Sequence, residues 1–346
     1  MNRRQTLGAL FGAGAIGAWP QSWAAASNEL RLQYDWKFEG PAAIYLYPEA
    51  RGFFKKAGLD VTIDAGSGAA ATIGRVASGA YDLGVADMSA LMEFVGNNPT
   101  APRPVAVMMM QNNSQAAIAV LKKSGITKPS ELSGRKIGAP VFDAARRTFP
   151  IFAKANQVQD VSWVSMDIAL KETMLARGDV DALAGFGVAM LLNLEARGVP
   201  ATDATLFEYR NFGARLYGNA IIASPKLIKE RPEALRSFLA ALSDGIDEAV
   251  KNPARAIDSV VARDGIVKPA LEQRRLTMMV DSVMLSADAR AEGFGRVSDP
   301  RMALLASQIS DVFQTKSRID PATVWDDRFL PPRAQLDRVF TGGRKG

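Results

Sequence analysis

Two short passages in this chain follow one plan. Val76-Ala-Ser-Gly79-Ala-Tyr-Asp82 and Leu175-Ala-Arg-Gly178-Asp-Val-Asp181 each end an amphipathic helix on Gly, and in each an Asp then opens an apolar strand. Their spacing of about 100 residues is too long for a solenoid repeat and suits two lobes built alike. Chance is the competing explanation, because helix–Gly–strand steps are common in α/β proteins. The surroundings favour the lobes. Before and around the first passage the pattern predicts a strand at Leu30 to Tyr34, a helix from Ala42 to Ala57 ended by Gly58, and a strand at Leu59 to Asp64. A helix from Ala70 to Ser78 and a strand at Tyr81 to Ala86 follow. Around the second passage come a strand at Lys136 to Ala139, a helix at Ala144 to Asn156 and a strand at Val161 to Ser165. The helix Lys171 to Arg177 and the strand Val180 to Ala184 complete it. Such βαβαβ order implies mostly parallel sheets with right-handed crossovers. At 346 residues the chain also exceeds what one hydrophobic core comfortably holds.

The chain is expected to cross between lobes near Met110 to Asn113, after a strand at Val105 to Met109. It returns near Tyr217 to Asn219, before a strand at Ala220 to Ser224. The lobes are then residues 27–111 with 219–346, and residues 112–218. Four stretches with Pro at or near their starts read as helices: Pro232 to Asn252, Pro253 to Arg263, Pro269 to Leu285 and Pro300 to Phe313. They should pack back on the first lobe.

The chain has no Cys and no His. That removes disulfides, thiolate nucleophiles, the usual zinc and iron–sulfur sites and His-based triads. It also removes the commonest general acid and base near neutral pH, so the expectation is binding without catalysis, cofactor or metal. The net charge is +6, and +4 once Arg3 and Arg4 are set aside. The basic residues are scattered, without the basic stripe that nucleic acid requires. Residues 1–26 read as an export signal: the Arg3–Arg4 pair, an apolar run from Leu7 to Ala18, and Ala24-Ala25-Ala26 before Ser27. Arg3-Arg4-Gln5-Thr6-Leu7 is similar to a twin-arginine signal. The apolar run is shorter than the ~20 residues of a membrane span, and no Cys follows to carry a lipid. The expectation is a soluble periplasmic protein.

Four segments together resemble a known family. They are Gly52-Phe-Phe-Lys-Lys-Ala-Gly58-Leu-Asp-Val61, then Val76 to Gly84, Lys128-Pro-Ser-Glu-Leu132-Ser-Gly134-Arg-Lys136-Ile-Gly138, and Tyr217-Gly218-Asn219-Ala220. In order and spacing they resemble the periplasmic binding proteins of ABC importers, in the nitrate, sulfonate, taurine and thiamine-pyrimidine-precursor superfamily. The resemblance covers about residues 30–335. It implies a type II two-lobe fold, a small-molecule ligand in the cleft, a membrane permease as partner and a monomer. Asp35-Trp36 looks like the pyrimidine-precursor branch, although Phe38, Glu39, Gly40 and Pro41 stand where that branch carries Pro, Asn and His. A pyrimidine-synthesising relative consumes a histidine and uses cysteines, which this chain lacks. A ligand-binding partner of a membrane sensor is a further alternative.

Open α/β sheets bind ligands beyond the carboxyl ends of their strands, which selects candidate residues by loop position. Asp35, Trp36 and Phe38 follow the first strand: the indole either stacks a flat ring or fills the core, and Asp35 either accepts from an amine or caps a helix. Gly66 and Ser67, before Gly68, either cradle an oxyanion or make a tight turn. Asp87, Met88 and Ser89 follow the third strand, with Asp87 a reader of ligand N–H groups, an N-cap, or both. Phe142, Asp143 and Phe186 follow strands of the second lobe. Gln111, Asn112, Tyr217 and Asn219 lie at the crossings. Arg146 and Arg147 read as solvent-exposed. Three aromatic and three Asp residues in these loops suit an amine-bearing or heteroaromatic ligand better than an anion such as nitrate, taurine or a sulfonate.

Overall fold

The computed structural model describes residues 28–341; the expected export signal lies outside the described residues. In chain order the first part contains β1 (Glu29–Gln33), α1 (Ala43–Ala50), α2 (Phe53–Lys56), β2 (Asp60–Asp64), α3 (Ala69–Ala77), β3 (Leu83–Asp87), α4 (Met88–Asn97) and β4 (Val105–Met109). The middle part contains β5 (Ala116–Leu121), β6 (Lys136–Gly138), α5 (Ala144–Asn156), β7 (Ser162–Val164), α6 (Lys171–Arg177), β8 (Ala182–Phe186), α7 (Gly187–Glu195) and β9 (Ala204–Glu208). β10 (Asn219–Ala223) returns to the first part. Helices α8 (Pro225–Glu230), α9 (Pro232–Lys251), α10 (Pro253–Val261), α11 (Pro269–Met279), α12 (Ala287–Glu292) and α13 (Asp299–Val312) follow.

The strands form two five-stranded sheets, β2-β1-β3-β10-β4 and β7-β6-β8-β5-β9. Each sheet has one antiparallel member, β10 in the first and β5 in the second. Both are the strands that arrive from the other sheet. The other strands run towards the gap between the sheets, so a strand that begins at the gap must run the opposite way. The sheets are therefore mostly parallel, as expected, with one antiparallel strand each.

The repeated passages do the same job in both sheets. Gly79 and Gly178 end α3 and α6 with φ of 77° and 83°, a left-handed turn that favours Gly. Asp82 then accepts from the Arg31 N–H at 3.0 Å, and Asp181 accepts from the Lys136 N–H at 2.8 Å. Each Asp ties the entrance of the third strand of its unit to the first.

Three expectations needed revision. The helix from Ala42 to Ala57 is two helices, because Gly52 takes φ of 71° between α1 and α2. Strands β5 and β9 are additional to the predicted elements. Ala116–Leu121 is apolar throughout and buried on both faces, so it has no alternation to read. The helix predicted to Leu285 changes at Val280 into a π-turn that runs to Met284.

Helices α1, α9 and α10 cover one face of the first sheet over a core that includes Leu32, Tyr47, Val85, Phe238 and Leu242. A second core runs from the other face of that sheet into the second sheet, with Met88, Ala106, Ile118, Phe152 and Met302 in one cluster. Helix α13 packs on both α4 and α5, and so bridges the two.

Arg301 of α13 holds both crossings. Its guanidinium donates to the carbonyls of Asn112 at 2.6 Å, Arg215 at 3.0 Å and Leu216 at 3.1 Å. It also bonds Asn113 Oδ1 at 3.0 Å and Glu292 Oε1 at 3.1 Å, and lies 4.0 Å over the Tyr217 ring. Removing a buried cation from such a set strands its acceptors, so Arg301→Ala should lower the unfolding free energy by about 3–5 kcal/mol. A urea titration measures this; a loss below about 1 kcal/mol would mean that Arg301 does not hold the crossings together.

Candidate functional site

A cavity of about 420 Å³ opens between the sheets, within the usual size range for a small-molecule site. Its walls are the carboxyl ends of β1, β3 and β8, the loops after β2, β6 and β7, and the first residues of β10.

Ten of the fifteen residues singled out by loop position line this cavity: Asp35, Trp36, Ser67, Asp87, Ser89, Gln111, Phe142, Asp143, Phe186 and Asn219. On the first sheet's wall, Asp35 Oδ2 accepts from Asn219 Nδ2 at 2.9 Å. Asn219 is the first residue of β10 and stands opposite Asp87 in the ladder, so sheet register brings the groups together. Asp87 caps α4, its Oδ1 accepting from the N–H groups of Ser89 at 2.9 Å and Ala90 at 3.2 Å. It keeps its second oxygen for other use. Desolvation pushes the Asp35 carboxyl up to about 7, against the opposing pull of the Asn219 hydrogen bond. Desolvation likewise lifts Asp87 to about 6, although its backbone donors favour the ionised form.

On the second sheet's wall, Asp143 caps α5 through the N–H groups of Ala145 and Arg146 and also takes Lys171 Nζ at 3.3 Å. Phe142 and Phe186 are 69% and 36% exposed at the rim. Large apolar side chains left open beside a cavity mark a surface that a ligand or a closing wall covers.

The other five candidates lie outside the cavity wall. Phe38 stacks on Tyr34 at 6.2 Å and packs on the first core. A Cβ on Gly66 would sit 2.1 Å from the Tyr34 carbonyl, so Gly is needed for close packing of two loops; the Gly66 N–H donates to the Trp36 carbonyl at 3.0 Å. Met88 points from its cap into the core and is fully buried. Asn112 donates to Glu292 and to the Arg296 carbonyl, both at 2.9 Å. The Tyr217 hydroxyl donates to Glu292 at 2.9 Å and accepts from the Ser298 N–H at 2.8 Å. These last two brace the crossings.

Loop position did not select several residues that line the cavity, among them Gln115, Glu93, Arg147, Lys171, Glu172 and Asn193. Arg147, expected in solvent, pairs with Glu93 and lies 4.9 Å from the Phe313 ring centre. Its place was readable: it follows the cap Asp143 by one helical turn, on the same face. Lys171 and Glu172 come after β7, as Gly66 and Ser67 come after β2.

The cations of the wall are already engaged. Lys37 and Arg275 reach Glu39 at 2.8 and 3.3 Å, Arg147 holds Glu93 and Lys171 holds Asp143. Among the described residues no ion pair reaches Asp35 or Asp87, so this wall offers carboxylate oxygens and an indole.

A family described as NMT1/THI5 like matches residues 41–256, well over half of the chain. The chain belongs to the NMT1/THI5-like family. A Haemophilus influenzae protein named for thiamine biosynthesis is 24% identical over 240 residues, 68% of this chain and 74% of that one. A Saccharomyces cerevisiae 4-amino-5-hydroxymethyl-2-methylpyrimidine phosphate synthase is 22% identical over 218 residues, 60% of this chain and 63% of the enzyme. Among solved structures, the periplasmic aliphatic sulphonate binding protein SsuA of Escherichia coli superposes with a TM-score of 0.71 at 13% identity, over 89% of this chain and 95% of that one. This chain shares the periplasmic-binding-protein fold of the solved sulfonate-binding proteins that it superposes on. Among the described residues no helix is long and apolar enough to cross a membrane.

The raised carboxyls have a consequence for stability. Asp35 ionises near the ordinary aspartate value of 3.8 when unfolded, and burial pushes it up to about 7 when folded. Between those values the native state holds more protons, so stability falls as pH rises from about 4 to about 7 and stays low above. Asp35→Asn should flatten this fall and raise the melting temperature of the unliganded protein by a few degrees at about pH 8, with little change at about pH 4. Melting curves at both pH values check it. An equal shift at both would mean that Asp35 ionisation is not the cause.

Proposed function

We propose that this chain is the extracytoplasmic solute-binding protein of an ABC importer and that it takes an amine-bearing or heteroaromatic molecule into the cleft between its sheets. The observation that carries the ligand class is the first sheet's wall, where Asp35 and Asp87 stand without a cationic partner beside Trp36. An amine hydrogen-bonds such oxygens, and an indole stacks a flat ring. A sulfonate or nitrate would need free donors, whereas Arg147 and Lys171 already hold carboxylates. The pyrimidine-precursor class is supported by the relatives named for thiamine and pyrimidine biosynthesis. Synthesis itself is disfavoured by the lack of His and Cys.

In this reading residues 1–26 export the chain to the periplasm, and the mature protein acts as a monomer. Residues 27–111 with 219–346 form one lobe and residues 112–218 the other. The open form samples closure, and a ligand that touches both lobes stabilises the closed form by its differential affinity. Asp35, Trp36, Ser67, Asp87, Ser89, Gln111 and Asn219 contact it from one side, and Phe142, Asp143 and Phe186 from the other. The closed form then docks on the membrane permease.

A thermal-shift panel on residues 27–346 tests the reading, with aminopyrimidines, taurine, an alkyl sulfonate and nitrate. A ligand at 100 times its Kd stabilises by about 2.7 kcal/mol. The expected result is a shift with aminopyrimidines that Trp36→Ala removes. A shift with the anions alone would overturn the ligand class and leave the binding role standing.

A further inference from the structure

We propose that Glu172 receives a second, cationic donor of the ligand, across the cavity from Asp35 and Asp87, so that the bound molecule is positively charged and carries hydrogen-bond donors at two ends. This rests on the cleft being the ligand site, as proposed above.

Glu172 lies in α6 on the second sheet's side, and its side chain is 3% exposed. Oε1 accepts from Asn193 Nδ2 at 3.2 Å. Oε2 is buried with no hydrogen-bond donor, although the residue borders the cavity. Its ion-pair partner Arg197 stands 3.9 Å from Oε2, beyond hydrogen-bond reach, and directs its N–H groups elsewhere. Its nitrogens donate to Thr173 Oγ1 and to the carbonyls of Asn193 and Ala169, each at 3.0 Å. Lys171, next in sequence, is held by Asp143. A buried carboxylate oxygen without a donor is costly, and a native site keeps one where something else supplies the donor.

The charges of the cavity agree. With Lys37, Arg275, Arg147 and Lys171 each on a carboxylate, Asp35 and Asp87 on one wall have no ion-pair partner among the described residues, and Glu172 on the other has Arg197 at 3.9 Å, too far for a hydrogen bond. These three are not gathered for one ion: among the described residues no group of three acidic side chains could hold a metal. Separated acceptors on facing walls call for separated donors on one molecule. Such a ligand draws the two walls together, because neither wall alone satisfies it.

Isothermal titration of residues 27–346 with two probes tests this. Both are 4-amino-2-methylpyrimidines, one with a cationic 5-aminomethyl group and the other with a neutral 5-hydroxymethyl group. The wild type should bind the aminomethyl probe at least about tenfold more tightly, as a charge-assisted hydrogen bond allows. Glu172→Gln keeps the size of the side chain and an acceptor for Asn193. It should bring the two affinities within about twofold, by weakening the aminomethyl probe more than the hydroxymethyl probe. A preference that survives in Glu172→Gln, or a wild type that favours the neutral probe, overturns the role of Glu172 and leaves the cleft reading intact. Binding of neither probe to the wild type overturns both. Should Glu172→Gln fail to fold, Glu172→Asp, which withdraws the carboxylate by one methylene, must reduce the preference or the assignment falls.

Discussion

The cleft depends on how one guanidinium gathers two chain segments. The chain leaves the first sheet after Met109 and comes back at Asn219, and Arg301 binds carbonyls of both passages at once. A guanidinium presents several donors in a fixed plane, so it fixes the relative position of its acceptors as well as their separation. Glu292 neutralises it and in turn receives Asn112 and Tyr217. Because the crossings lie under the cavity, whatever fixes them fixes where Gln111 and Asn219 enter it. The Gln111 and Asn219 backbones bond each other at 3.0 Å, which carries the constraint into the cavity floor. Asn219 then orients Asp35. A residue of a C-terminal helix thereby sets the geometry of a carboxylate near the start of the chain.

That carboxylate is held at a cost. Burial favours its neutral form while its hydrogen bond favours the charged one, and near neutral pH the balance is close. Asp87 is in the same position for the same reason. An unliganded wall of this kind is less stable than an apolar one, and a positively charged occupant relieves it. Under the proposed function, stability given up at this wall becomes affinity for the ligand.

The fold was legible where punctuation is explicit. Asp143 before α5 is a strong start signal and Gly178 after α6 a strong stop signal, and both helices have the predicted bounds. Legibility failed where the signal is absent by nature. β5 is apolar on both faces, and the break between α1 and α2 rests on the backbone angle of one glycine, Gly52. The site divides in the same way. Residues directly beyond strand ends, such as Asp35, Asp87 and Phe186, reach the cavity because the sheet dictates it. Residues on helices need the helix phase, which a loop-position argument does not supply. Met88 and Arg147 illustrate this: one follows its cap by a single residue and turns into the core, the other by a full turn and reaches the cavity.

The duplicated plan explains why the two walls are alike in outline and unlike in chemistry. Asp35 follows β1 as Asp143 follows β6, so each unit places an Asp after its first strand. Asp143 is satisfied within its own wall by two backbone N–H groups and Lys171. Asp35 accepts from Asn219 and has no ion-pair partner among the described residues. The loops after β2 and β7 diverge in the opposite sense: Ser67 and Gly68 bring no charge, whereas Lys171 and Glu172 bring two. The Asp with less support in the first wall therefore faces a second wall whose spare acceptor, Glu172, has moved to the start of α6. If both walls had kept the same loop unsatisfied, their carboxylates would meet across the gap and repel on closure. Displacing one of them avoids that repulsion, and under the proposed function it spaces the acceptors along a single extended ligand.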